Sequence, residues 1–312
     1  MVDMEDADIT AIRRFNRFYT QMIGALDARF LGTEATLPEA RLLFEIATRE
    51  PVTATVLQDA LDMDAGYLSR LVARFEKRGW IMRVRRDDDA RARDLRLTEA
   101  GREAFAIVDH RQSHAVCDLL AAVDGQARRD LVEALTRARL LLDPASGGAF
   151  VIRPFRTGEP ALIASRQSLL YAESHGWGRQ LETLESEVTA AFLRDFDPAR
   201  EQCWVADIDG VLAGAVFVTH EGDGVARLRL LHVEPFARRR GIGDALVARC
   251  VGFARDTGYH TLMLWTHTVL ESARRIYAAQ GFVCVETAMH DAFGVPLQGE
   301  TWRLELAARA PR

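Results

Sequence analysis

Cysteine is scarce in this 312-residue chain: Cys117, Cys203, Cys250 and Cys284 are the only four, and they are scattered. None is spaced from another as metal ligands or a compact disulfide framework require, so buried thiols in a reducing compartment are expected and a metal site is not. Long apolar runs are missing too. Nothing approaches the ~20 consecutive apolar residues that span a bilayer, so no membrane partner is expected. The first ten residues, MVDMEDADIT, are acidic and lack the pattern of a secretory signal. A cytoplasmic location is the expectation. There is no internal repeat and no low-complexity tract, which leaves ordinary globular domains. A basic surplus is absent as well: 40 Lys and Arg stand against 45 Asp and Glu, a net charge of −5. That balance excludes a uniformly basic nucleic-acid coat and leaves room for a local patch.

Such a patch is present. Between Gly66 and Arg96, ten basic residues meet five acids in a chain that is negative overall. The asymmetry points to a polyanion partner for the first half. The length suits two domains, each large enough to bury a core. Asp143-Pro144-Ala145-Ser146-Gly147-Gly148 is the best break between them, because proline stops a helix and the two glycines loosen the chain. The expected domains are 1–143 and 150–312, with 144–149 as linker.

The first half reads as mostly helical. Apolar residues at helical spacing predict a helix over Ile9 to Phe30 and a second behind Leu37-Pro38. A short third helix runs from Thr53 to Leu61, with Thr53 as cap, and a fourth from Asp64 to Arg78, stopped by Gly79. Two short strands, Ile81 to Arg85 and Asp94 to Leu97, flank a charged loop, and two further helices follow. A short helix, a turn, a second helix and a two-stranded wing make a winged helix-turn-helix. The stretch from Leu37 to Gly101 resembles the MarR family of regulators, through Asp89-Ala90-Arg91 in the wing loop and Leu97-Thr98-x-x-Gly101 behind it. The resemblance implies double-stranded DNA as partner. The N-terminal part of the fourth helix would enter the major groove, with Tyr67, Ser69, Arg70 and Arg74 as candidate contacts. Arg86, Asp89 and Arg91 are the candidates in the wing, with Arg91 reaching a minor groove. The apolar helices at either end imply a homodimer reading a palindromic operator.

The second half alternates strands and helices, as an α/β domain with a central mixed sheet does. Its most telling segment is Arg238-Arg239-Arg240-Gly241-Ile242-Gly243, between a strand (Ala226 to Val233) and an amphipathic helix (Asp244 to Arg255). Such a turn leaves backbone N–H groups unpaired at the positive end of a helix, which suits a diphosphate. A dinucleotide fold would need a third glycine where Leu246 stands and an acid closing the next strand, and Thr261 to Thr266 has none. Arg238-x-x-Gly241-x-Gly243 resembles motif A of the GNAT acetyltransferases, and Ala273-x-x-Ile276-Tyr277-x-x-x-Gly281-Phe282 resembles the helix and strand that follow in that family.

That second resemblance implies direct acetyl transfer from acetyl-CoA to the amine of a small molecule or amino acid derivative. The implied cofactor contacts are Leu231, Val233, Arg238, Arg239, Arg240, Gly241, Ile242, Gly243, Asp244 and Arg274. Tyr277 falls at the position of the family's proton-donating tyrosine. His232, beside the expected thioester, is the candidate base, with Glu234, Glu173 and His267 open as alternatives. Glu173 and Trp177 in one loop, with His267, His290 and Phe293, are the candidate substrate contacts. Leu270 departs from the family's frequent asparagine at that place. It motivates the alternative that this half is a non-catalytic acetyl-CoA sensor attached to the regulator.

Overall fold

The computed structural model describes residues 6–85 and 93–306. The chain divides into two compact units, 1–128 and 129–312. In the first, α1 (Asp6–Met22) is followed by α2 (Leu37–Arg49), α3 (Ala54–Leu61), α4 (Ala65–Lys77), β1 (Ile81–Arg85), β2 (Arg93–Leu97) and α5 (Glu99–Ala121). The next helix, α6 (Gly125–Leu142), crosses the division. The segment read as a linker falls within the second unit, where Arg139 donates to the Ser146 carbonyl and Arg240 to those of Gly147 and Gly148.

Local chemistry sets the helix starts. Thr36 and Glu39 form a reciprocal capping box on α2, Thr53 caps α3, Asp64 Oδ1 accepts from Tyr67 N–H at 2.9 Å on α4, and Thr98 caps α5. Leu42, Leu43, Ile46, Leu57, Leu68, Leu71, Val72 and Phe75 close the core between the helices, and Leu95 and Leu97 of β2 join it. Gly101 is fixed by packing: a Cβ there would stand 1.9 Å from the Trp80 carbonyl oxygen. β1 and β2 pair antiparallel from Ile81–Leu97 to Arg85–Arg93, and Val52 adds a bridge to Leu95. The first helix is shorter than its apolar spacing predicts. It ends at Met22, and Gly24 then turns left-handed (φ 64°).

The second unit holds β3 (Val151–Pro154), α7 (Glu159–His175), α8 (Arg179–Asp195), β4 (Gln202–Ile208), β5 (Val211–Gly222), β6 (Val225–Val233) and α9 (Ile242–Asp256). It continues with β7 (Thr261–His267), α10 (Glu271–Ala279), β8 (Val283–His290) and β9 (Leu297–Glu305). The seven strands lie in the order β3-β4-β5-β6-β7-β9-β8, and only β6 and β7 pair parallel. One face carries a core of Leu246, Val247, Cys250, Leu262, Leu264 and neighbours, and the other carries Ile163, Phe192, Phe217 and neighbours. Gly299 near the start of β9 lets Trp265 lie across the strand; a Cβ there would meet Trp265 Nε1 at 2.9 Å.

The feature that positions a site is a break in pairing. β6 and β7 are joined only from Val225–Thr261 to Leu228–Leu264. Leu230 then takes a left-handed conformation (φ 52°), and the β5–β6 register shifts beside it. This bulge turns the end of β6 out of the parallel ladder and leaves its β7-facing edge without a strand partner.

Candidate functional site

The glycine turn follows the unpaired end of β6. Arg239 and Gly241 are both left-handed (φ 62° and 77°), and a backbone that alternates in hand aims successive N–H groups to one side. The first hydrogen bond of α9 runs from Ala245 N–H to the Gly241 carbonyl (3.1 Å), and no side chain caps the helix. The N–H groups of Gly241 to Asp244 therefore have no acceptor among the described residues. Gly243 brings the main chain close to α10; a Cβ there would meet Ile276 Cδ1 at 2.7 Å.

These residues line a cleft of about 910 Å3. Of the ten sequence-predicted cofactor contacts, Leu231, Val233, Arg238, Arg239, Gly241, Ile242, Gly243 and Asp244 border it. Arg240 and Arg274 do not, because other partners hold them. The Arg240 guanidinium donates to the chain before β3, and Arg274 Nε donates to the buried Glu300 carboxylate at 2.9 Å. Arg275, the next residue on α10, lines the cleft instead.

A smaller cavity of about 120 Å3 adjoins this cleft, sharing Gln167, Tyr171, Leu231, Leu270 and Ala273 with it. Tyr277 lines it, 5 % exposed, and burial pushes its phenol well above the usual tyrosine range. Trp177, His267 and Phe293, three of the predicted substrate contacts, also line it. His290 is one layer out, its Nε2 3.0 Å from that of His267. Burial, with His290 and His175 nearby, lowers His267 to about 4. Glu173 is exposed and borders neither cavity. Leu270, in place of the family's asparagine, packs with Tyr171, Trp177 and Phe293 as an apolar wall.

The predicted bases fare differently. His232 is buried, neither ring nitrogen has a hydrogen-bond partner among the described residues, and burial lowers it to about 4. An imidazole of that acidity is a poor acceptor at neutral pH. Glu234 is 1 % exposed and clamped by Arg166, Nε to Oε1 at 2.7 Å and Nη2 to Oε2 at 2.8 Å. Burial alone would raise it, but the guanidinium outweighs that and holds it low.

The group that sequence reasoning missed is Glu185 on α8. It is 2 % exposed and lines the small cavity beside Tyr277. Its side chain has one hydrogen-bond partner among the described residues, the Ser168 hydroxyl, and no cation. Burial raises it to about 7, against the pull of Ser168 and with a further push from Glu182. A signal was present: Leu181, Glu185, Val188 and Phe192 follow the helical spacing of a buried face, with one acid in it. Gln167 was missed too; its Nε2 donates to the Leu231 carbonyl (3.1 Å), and its buried Oε1 has no partner among the described residues.

In the first unit, Tyr67, Ser69, Arg70 and Arg74 are exposed on α4, and Arg70 lies 5.8 Å from the centre of the Tyr67 ring. Arg74 is partly spoken for: it donates to the buried Glu39 at 2.9 Å, with Arg78 at 3.5 Å from the same oxygen. Arg86, Asp89 and Arg91 lie outside the described residues. Among the described residues no cluster could hold a metal ion, and no helix is long and apolar enough to cross a membrane.

Comparison with known proteins fits both units. Residues 35–92 match the MarR family and residues 167–282 the acetyltransferase (GNAT) family. N-acetyltransferase 8 of Homo sapiens is 36% identical over 103 residues, 31% of this chain and 44% of that protein. A mycothiol acetyltransferase of Mycolicibacterium vanbaalenii is 38% identical over 93 residues, 30% of each chain. The HTH-type transcriptional regulator YdgJ of Bacillus subtilis is 28% identical over 90 residues, 29% of this chain and 55% of that one. The chain thus spans less than half of those acetyltransferases and about half of that regulator. The solved structure of Salmonella typhimurium yncA with its cofactor acetyl-CoA aligns at 19% identity and a TM-score of 0.42, covering 53% of this chain and 98% of that one.

Proposed function

From a chain that carries a MarR-family region and, behind it, a GNAT acetyltransferase domain, we propose a DNA-binding regulator joined to an acetyl-CoA-dependent N-acetyltransferase for small amines. The observation that carries the enzymatic half is the row of unpaired N–H groups from Gly241 to Asp244, facing a cleft that opens onto the cavity of Tyr277 and Glu185. The residues fit the cofactor. Four main-chain donors at a helix N-terminus would hold its diphosphate. The unpaired edge of β6 past Leu228 would take its extended arm, and Arg238, Arg239 and Arg275 would supply positive charge along the cleft.

When bound, acetyl-CoA supplies an acetyl group activated as a thioester. Glu185 takes the proton that the incoming ammonium must lose before its nitrogen can attack. An acid near 7 is well matched to that task at neutral pH. Tyr277, kept protonated by burial, gives its phenolic proton to the departing sulfur and regains one from solvent. The aromatic wall of Trp177, His267 and Phe293 keeps water from the reacting atoms. His232 stays neutral and has no part in the transfer. Release of CoA thiol with a panel of amines tests this reading: turnover is expected in the wild type and its collapse in Tyr277→Phe. Full thioester binding with no turnover on any amine would favour a sensor.

The regulatory half rests on α4. Arg70 and Tyr67 stand exposed near its capped N-terminus, where a helix meets base edges. The apolar side chains of α1 (Ile12, Phe15, Phe18) are exposed, and no residue of that helix is buried, which supports a two-fold dimer closed over it. A cytoplasmic location fits this reading. A salt-dependent, sequence-selective shift of duplex DNA, with a dimer in light scattering, tests it.

A further inference from the structure

The small cavity carries two cations that acetyl transfer does not use. Arg227 and Arg229 point the same way from β6 and line the cavity that also holds Glu185. Both guanidinium groups meet one oxygen, Glu221 Oε1, at 2.8 and 2.9 Å. Burial would raise Glu221, but the two arginines outweigh it and hold its carboxyl below the ordinary range, so the carboxylate is ionised. Two positive charges against one negative charge leave a net positive charge at that wall. Arginine in pairs is suited to a carboxylate through its forked donors.

The opposite need is met across the cavity. Glu185 forms no ion pair among the described residues, and Gln167 Oε1 is a buried acceptor without a partner among them where cavity and cleft meet. A primary ammonium carries three donors and would satisfy both. Trp177, Leu181, Leu184, Val188, Trp265 and Phe293 supply apolar lining between them, beside the polar groups of Tyr171, Thr266, His267 and Tyr277. Both charged groups border the same small cavity of about 120 Å3.

We infer that the cavity seats a zwitterion, its ammonium at Glu185 and Gln167 and its carboxylate at Arg227 and Arg229, so that the acetyl acceptor is an amino acid with an apolar side chain. The inference rests on the acetyltransferase reading and narrows it. A free amine of the same shape would leave the arginine wall without its counter-charge. The aromatic and aliphatic lining takes the side chain.

The experiment compares L-phenylalanine with 2-phenylethylamine and L-leucine with isoamylamine, pairs that differ only in the carboxylate. Turnover is followed with acetyl-CoA, and binding by calorimetry to the full chain saturated with CoA. Each amino acid is expected to exceed its decarboxylated partner by about tenfold or more in kcat/KM and in affinity, since each 1.4 kcal/mol is a factor of ten. In Arg229→Gln and in Arg227→Gln the preference shrinks toward unity, while KM for acetyl-CoA stays put. Acetylation of the plain amines at equal or better efficiency would overturn the zwitterion seat and leave the acetyltransferase standing. CoA binding with neither member of a pair favoured in calorimetry would overturn it as well. Absence of CoA binding would instead remove the acetyltransferase reading, and the seat with it.

Discussion

The two sides of the β6–β7 gap are built from different materials. On one side, the turn at Arg239 to Asp244 offers main-chain N–H groups, placed by two left-handed residues and a helix start. On the other side, α7, α8, β6, β7 and α10 each contribute side chains, and no two of the chemically active ones are neighbours in sequence. A main-chain site tolerates many side chains but no new Cβ at the wrong place. A side-chain site tolerates backbone adjustment but depends on each functional group. The contrast also separates two buried carboxylates. Glu234, clamped by Arg166, is a fixed charge, whereas Glu185, hydrogen-bonded to a hydroxyl and ion-paired to no cation among the described residues, can exchange a proton near neutrality.

Substitutions break this contrast in a graded way. Tyr277→Phe is expected to lower kcat by roughly 10³ with CoA affinity nearly unchanged, measured by thiol release and calorimetry. Glu185→Gln should lower kcat by roughly 10². The sign of its pH effect follows from the role of acceptor: Glu185 must be ionised, so the wild-type rate rises with pH through about 7, and the variant loses that limb. The groups facing Glu185 are Tyr171 and Ser168 of α7, Arg227 and Arg229 of β6, His267 of β7, Tyr277 of α10 and, on its own helix, Glu182. His267 is already neutral above about 4, so it does not supply a limb near 7.

On the main-chain side, Gly243→Val should weaken CoA binding by roughly 30-fold, because the branched side chain collides with Ile276 and shifts the helix start. The variant's catalytic pH profile should remain that of the wild type at saturating acetyl-CoA. In the other unit, Arg70→Ala should weaken operator binding by about tenfold in a titration at fixed salt. Arg74→Ala should cost less, since Glu39 already engages that guanidinium. The smallest effect is expected for Arg274→Gln, within about twofold in CoA affinity, because Glu300 holds the native side chain away from the cleft.

What could be read in the sequence follows the same division. The glycine turn, the cap at Thr53, the stop at Gly79 and the strand–helix alternation are local signals, each fixed by a few adjacent residues. The helix pair and the paired strands of the wing were legible for that reason. The small cavity was only half legible. Trp177, His267 and Phe293 converge as expected, but Glu185 looks like one more acid in the run Arg179 to Asp195 until α8 lies against the sheet. Arg227 and Arg229 look like charges on an exposed strand face. Arg240 and Arg274 sit in the right motifs with their guanidinium groups turned elsewhere, and only tertiary contacts reveal that. The bulge at Leu230 has no glycine to announce it, although it frees the edge on which the cleft depends.

The central claim, that main-chain amides at the start of α9 hold the diphosphate of CoA, is tested most directly by titrating CoA into the 15N-labelled full chain and following the amide signals of Gly241, Ile242, Gly243 and Asp244. The account predicts that these four shift together and saturate at one CoA per chain. Signals that stay in place, whether CoA binds elsewhere or not at all, would contradict it.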